Sequence, residues 1–119
     1  DVYKRQKVIW ANTGSMTNLY FLLERYPEVK DKISEIVAMG GAIGKGNQSP
    51  AAEFNMFFDP FAAKGVFEMK GDIPLTLIPL EFTHQVLADQ KVFDRLARYE
   101  NMFAKCIVKM LEHFQKMYK

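Results

Sequence analysis

Apolar residues along this chain fall into two kinds of run. Three are short and nearly continuous: KVIWAN (7–12), EIVAM (35–39) and IPLTLIPL (73–80). Runs of this length without polar alternation read as strands buried in a sheet, with Trp10 packed inside the first. Elsewhere apolar positions recur at three and four, the spacing of one helix face. In TNLYFLLERYPE (17–28) they are residues 19, 22, 23 and 26, with Thr17 or Asn18 as the cap and Pro27 as the stop. EVKDKI adds a short helical piece. DPFAAKGVFE (59–68) opens a helix with Asp59 as N-cap and Pro60 at the first helical position. DQKVFDRLARYE (89–100) continues the helical pattern. The last helix, 101–118, places Phe103, Cys106, Ile107, Met110, Leu111, Phe114, Met117 and Tyr118 on one apolar face, and His113 on the solvated side.

The order is therefore β-α-β-α-β-α-α. It predicts an α/β fold, a parallel, Rossmann-like sheet flanked by helices on both faces. Three strands make only a partial sheet, and its edges need partners. Binding sites in such sheets lie beyond the carboxyl ends of the strands. Three segments leave those ends: NTGSMTN, in which Gly14 is free to take positive φ, GGAIGKGNQSPAAEFN, and PLEFTHQ.

The middle segment, running to residue 58, is long for a connection inside a compact domain unless it has work to do. It does not fit the phosphate loops. A Walker loop fails at both ends, because Gly46 follows Gly44-Lys45 and Met39 stands five before Gly44. The dinucleotide fingerprint has Ser49 where its third glycine belongs. What remains is a set of carboxylate and amide side chains, Asn47, Glu53 and Asn55, which could bond the hydroxyls of a polyol. No Lys or Arg neighbours Glu53, so burial would demand another partner for its charge. From the residues alone, a polar small-molecule site and a solvated loop both stay open.

Composition narrows the classes. The chain has 119 residues, 25% of them charged, with a net charge of +2. That balance argues against nucleic-acid and anionic-membrane partners. No apolar run reaches the ~18 residues needed to span a bilayer. The single cysteine, Cys106, excludes an internal disulfide and suits a cytoplasmic location; it is expected in the core. The opening DVYKRQK is charged and has no signal-peptide pattern. DVYKRQ is also the translation of GATGTGTATAAGAGACAG, which resembles a transposase mosaic-end adapter. Residues 1–6 are thus expected to be a non-native leader.

The segments TGSMTN, EIVAMGGAIGKGNQSPAAEFNMFFDPFAA and IPLTLIPLEFTHQ together resemble the inosine/uridine-preferring nucleoside hydrolases. That family shows T-G-P-L-T-N, then V-x-M-G-G-x…G-N-x-[ST]-x-x-A-E-F-N-x-x-x-D-P-x-A-A, then P-L-D-V-T-H, in this order. The resemblance covers residues 7–119. It implies an enzyme that hydrolyses the N-glycosidic bond of ribonucleosides, using a calcium-bound water as nucleophile. Carried over by position, Met39, Asn47, Glu53 and Asn55 line the ribose, and the backbone carbonyl of Thr13 ligates calcium (Ca2+). The parent enzyme is expected to be a homo-oligomer.

Several features depart from the family pattern. The family's D-x-D-x-G-x-D-D cluster, which supplies calcium carboxylates and the general base, has no counterpart here, nor does its late H-D segment. Glu81 stands where the family has Asp and receives no role. His84 is expected to be a hydrogen-bonding residue near the site rather than a catalytic acid. Residues 7–119 therefore read as the central portion of a nucleoside hydrolase domain, carrying the ribose loop but inactive alone. The alternative is a non-catalytic ribose- or nucleoside-binding module.

Overall fold

A computed structural model describes residues 6–117. Three strands, β1 (Val8–Asn12), β2 (Ile33–Met39) and β3 (Leu75–Ile78), form one sheet in the order β1-β2-β3, and both pairings are parallel. The register sets Trp10 beside Ile36 and Asn12 beside Ala38, with Met39 beside Ile78. The three strands therefore end side by side, at the edge where their following segments begin.

Two helices enclose the core. Helix α1 (Thr17–Arg25) contributes Leu19 and Leu23, and α3 (Pro60–Met69) contributes Ala63 and Val66. These pack with Met16 and Ile73 on Ile33, Ile36 and Ala38 of β2, and Trp10 and Leu75 flank the cluster, partly buried. One sheet face is thus filled. The alternate positions differ: Ile9 is 63% exposed, and Thr76 is exposed while its Oγ1 donates to Glu35 Oε1 at 2.9 Å. In this unit the described helices cover one face of the sheet rather than both.

Several boundaries move for local reasons. Strand β3 is shorter than 73–80 because Pro74 and Pro79 have no amide to give a ladder. Strand β2 starts earlier, at Ile33, directly after a 3-10 turn over Pro27–Lys32. Helix α1 has no side-chain cap: Met16 is its N-cap, and Thr17, already helical, turns its hydroxyl to Asp59. Asp59 does cap α3, accepting from the amide of Ala62 at 2.9 Å, with Pro60 next. The long loop contains a short helix, α2 (Phe54–Phe58), and another, α4 (Leu80–Thr83), follows β3. Among the described residues the glycines with positive φ are Gly41 and Gly71, and Gly14 is not one of them.

The described residues form two compact units, divided between Gln85 and Val86. The second is a helical pair, α5 (Gln90–Ala97), capped by Asp89, and α6 (Met102–Met117). Phe93 of α5 and Ala104 of α6 are its buried residues. Cys106 is exposed, contrary to its expected place in the core, and so are Phe103, Ile107 and Met110. The apolar face of α6 is real but stands uncovered in this unit. His113 is exposed, as expected. Tyr118 and residues 1–5 lie outside the described residues, so most of the expected leader does too. No described helix is long and apolar enough to cross a membrane.

Candidate functional site

The segment after β2 begins with Gly41, whose φ of 79° is one that a side chain would make costly. The chain then loops outward and closes on itself. Gly46 donates to the carbonyl of Pro50 at 3.1 Å, and Gln48 to that of Ala52 at 3.0 Å. A Cβ on Gly46 would stand 2.2 Å from the Ala52 oxygen, so only glycine allows this approach. The loop thereby returns Glu53 to the end of the strand it left.

Glu53 is the N-cap of α2 and is 2% exposed. Its Oε1 accepts from the amide of Asn55 at 2.8 Å. Its Oε2 accepts from Gly41 at 3.0 Å and Met56 at 3.1 Å. The buried charge is therefore held by backbone amides, two of them the otherwise unbonded donors of a helix start. Of the roughly four acceptor positions of a carboxylate, three are used. Asn55, half-buried, donates its Nδ2 to the carbonyl of Met39 at 3.1 Å and lies 3.0 Å from the Met39 sulfur. Asn47 is exposed, and its Oδ1 accepts from the amide of Phe54 at 2.8 Å. Met39, Asn47, Glu53 and Asn55 are thus brought together, linked through the first turn of α2.

Thr13 lies at the end of β1, on the same sheet edge. Its turn is shaped by Asn12, which is buried: Nδ2 donates to the carbonyl of Gly14 at 2.6 Å, and Oδ1 accepts from Trp10 Nε1 at 3.3 Å. Ser15 and Thr17 share a hydroxyl contact at 3.1 Å, and Thr17 Oγ1 donates to Asp59 Oδ2 at 2.6 Å. This bond ties the Thr13 turn to the joint between α2 and α3. It also holds the Asp59 carboxyl below its ordinary pKa, the Ala62 amide adding to the effect.

A hard cation such as calcium needs six to eight oxygens, with carboxylates among them. The described residues include no group of three or more His, Cys, Asp or Glu able to hold a metal. Asn12, beside Thr13, is committed to its own turn. The residues here do not make a calcium site, and the Thr13 carbonyl is a single candidate ligand.

Two contributors were not assigned from sequence. Asn12 is one; a buried amide at a strand end has no distinctive spacing. Glu81 is the other. From α4 its carboxylate accepts from the amides of Ile43 and Gly44, at 3.1 and 2.8 Å. These bonds, Gly44 first, keep its carboxyl below the ordinary value. His84 is exposed at the C-cap of the same helix. A concave surface of the second unit, around Leu96, Ala104 and Val108, is lined by none of the predicted site residues.

The family model for inosine-uridine preferring nucleoside hydrolases matches residues 2–119. The chain belongs to this family. Among the nucleoside hydrolases, the pyrimidine-specific ribonucleoside hydrolase RihA of Shewanella oneidensis is 45% identical over 109 residues, 92% of this chain and 34% of that protein. The purine-preferring ribonucleoside hydrolase from Gardnerella vaginalis superposes with a TM-score of 0.85 at 34% identity, over 98% of this chain and 37% of that one. The inosine-uridine preferring nucleoside hydrolase from Bacillus anthracis gives a TM-score of 0.67 at 32% identity, over 79% and 32%. The chain thus spans about a third of the length of the nucleoside hydrolases it matches.

Proposed function

We propose that this chain is the ribose-holding segment of a ribonucleoside hydrolase, an enzyme that releases base and ribose by cleaving the N-glycosidic bond. The observation that carries this reading is the Glu53 carboxylate, buried and fixed by amides, beside Asn47 and Asn55. A ribose hydroxyl would be a further partner. Cleavage develops positive charge on the sugar ring, and a preorganised carboxylate stabilises that charge without reorganising. Holding the ring by its rim also lets binding energy favour the flattened sugar over the ground state.

In this reading Glu53, Asn47 and Asn55 orient the substrate and do not activate water. The general base and the carboxylates for a calcium ion belong, in this reading, to other parts of a longer enzyme. The isolated chain is then a binder without turnover, and the longer parent is a homo-oligomer of the cytoplasm. The base preference is left open, since the named relatives include pyrimidine-specific and purine-preferring enzymes.

Isothermal titration of the 119-residue chain with ribose and inosine tests this reading. Millimolar binding of both, abolished by Glu53→Ala, is the expected result. Absence of heat for either ligand removes the ribose site. Release of free base by the isolated chain would contradict the assignment of the catalytic base to another segment.

A further inference from the structure

We propose that Glu81 is the positioning residue of the substrate loop, clamping its outer half so that Asn47 stays aligned over the start of α2. The inference rests on the ribose-site reading for its functional meaning, and on the following geometry for its physical content.

The two halves of the loop are held differently. The half nearer α2 closes on itself through the Gly46–Pro50 and Gln48–Ala52 bonds and through Asn47 on Phe54. The outer half has no packing to rely on: Ile43 is 85% exposed, and Gly44 and Lys45 are exposed as well. Its anchor comes from a different part of the chain. The amide of Leu80 donates to the carbonyl of Gly41 at 3.1 Å, and one residue later the Glu81 carboxylate takes the amides of Ile43 and Gly44. Bonds from amides to a carboxylate are about twice as strong as neutral ones. The Glu81 carboxyl is kept charged by those same two amides.

Without this anchor, residues 42–45 would be free to swing between Gly41 and the tight Gly46 approach. Asn47 follows immediately, so its bond to Phe54 would weaken although Glu81 touches neither residue. Glu81 acts through the backbone, and no contact of its own with ribose is required.

Amide hydrogen exchange on the full 119-residue chain tests this. In Glu81→Ala, protection at Ile43 and Gly44 is expected to fall at least about tenfold. Protection at Phe54 should fall with it, and Ile36, bonded to Pro74 in the sheet, should be unchanged. Glu81→Gln keeps one carbonyl acceptor and should recover part of the loss at all three loop amides. Unchanged protection at Phe54 would overturn the proposal, leaving Glu81 a local cap. So would unchanged protection at Ile43 and Gly44. If Ile36 also loses protection in the Ala variant, the Gln variant decides by the same readout; global loss in both makes Glu81 a general stability residue and overturns the clamp. Ribose titration of the wild-type chain is a separate arm: no response there defeats the ribose site but leaves the exchange comparison decisive for Glu81.

Discussion

Glu53 shows how a buried charge can be accommodated without a cation. Its three amide donors come from Gly41, just past the end of β2, and the first turn of α2. In Glu53→Gln the new amide group must face at least one of those donors, so a donor meets a donor. A loss of about 1–3 kcal/mol is expected, read as a lower urea midpoint with an unchanged slope. Asp59 supplies the pH dependence. Its folded pKa is depressed, first by the Thr17 hydroxyl and then by the Ala62 amide. Such a group adds stability above its unfolded value, near 3.8, and that stability is lost as pH falls through the lower folded value. Acid titration followed by circular dichroism should therefore show a shallower loss below pH ~4 in Asp59→Asn than in the parent chain. Glu53 was legible as a candidate from its residue type and setting. Its actual partners were not, because they are backbone groups that sequence does not distinguish.

At the scale of elements, the Thr17–Asp59 bond depends on how closely α1 and α3 approach. A Cβ on Gly65 would lie 2.4 Å from the Tyr20 ring, which also meets Phe61 edge-on at 5.5 Å. Gly65→Ala should push the two helices apart at a cost of about 1–3 kcal/mol. Because Thr17 and Asp59 sit at the starts of these helices, the same change should weaken their bond and flatten the acid dependence. A thermal melt at pH 3 and pH 7 checks both effects. The element pattern itself was largely legible: the strands, α1, α3 and the terminal helices follow from apolar runs and caps. Helix α2 was missed because FNMFF is apolar at nearly every position and shows no period. Its cap is also a glutamate rather than one of the usual short polar residues.

For the whole molecule, the exposed apolar surface is the main consequence. Ile9, Phe61, Met102 and Phe103 are all more than 60% exposed. Scattered apolar residues are ordinary, but this many large ones across both units favour association. The isolated chain is expected to bind a hydrophobic dye and to sediment with a concentration-dependent mass; a monodisperse monomer at every concentration would contradict this. The chain spans about a third of the length of the relatives it matches.

The sequence by itself determined the fold class, the strand order along the chain and the family, because periodicity, prolines and a long spaced motif are local properties. It also singled out Met39, Asn47, Glu53 and Asn55. Only the tertiary structure decided how these are held: Glu53 by three amides, Asn47 through Phe54, and the outer loop by Glu81 from another strand end. It also decided that Cys106 and the apolar face of α6 stand exposed. The physical reason is common to all of these. Hydrogen-bond partners and burial depend on which distant backbone groups come into reach, and a one-dimensional pattern carries no such distances.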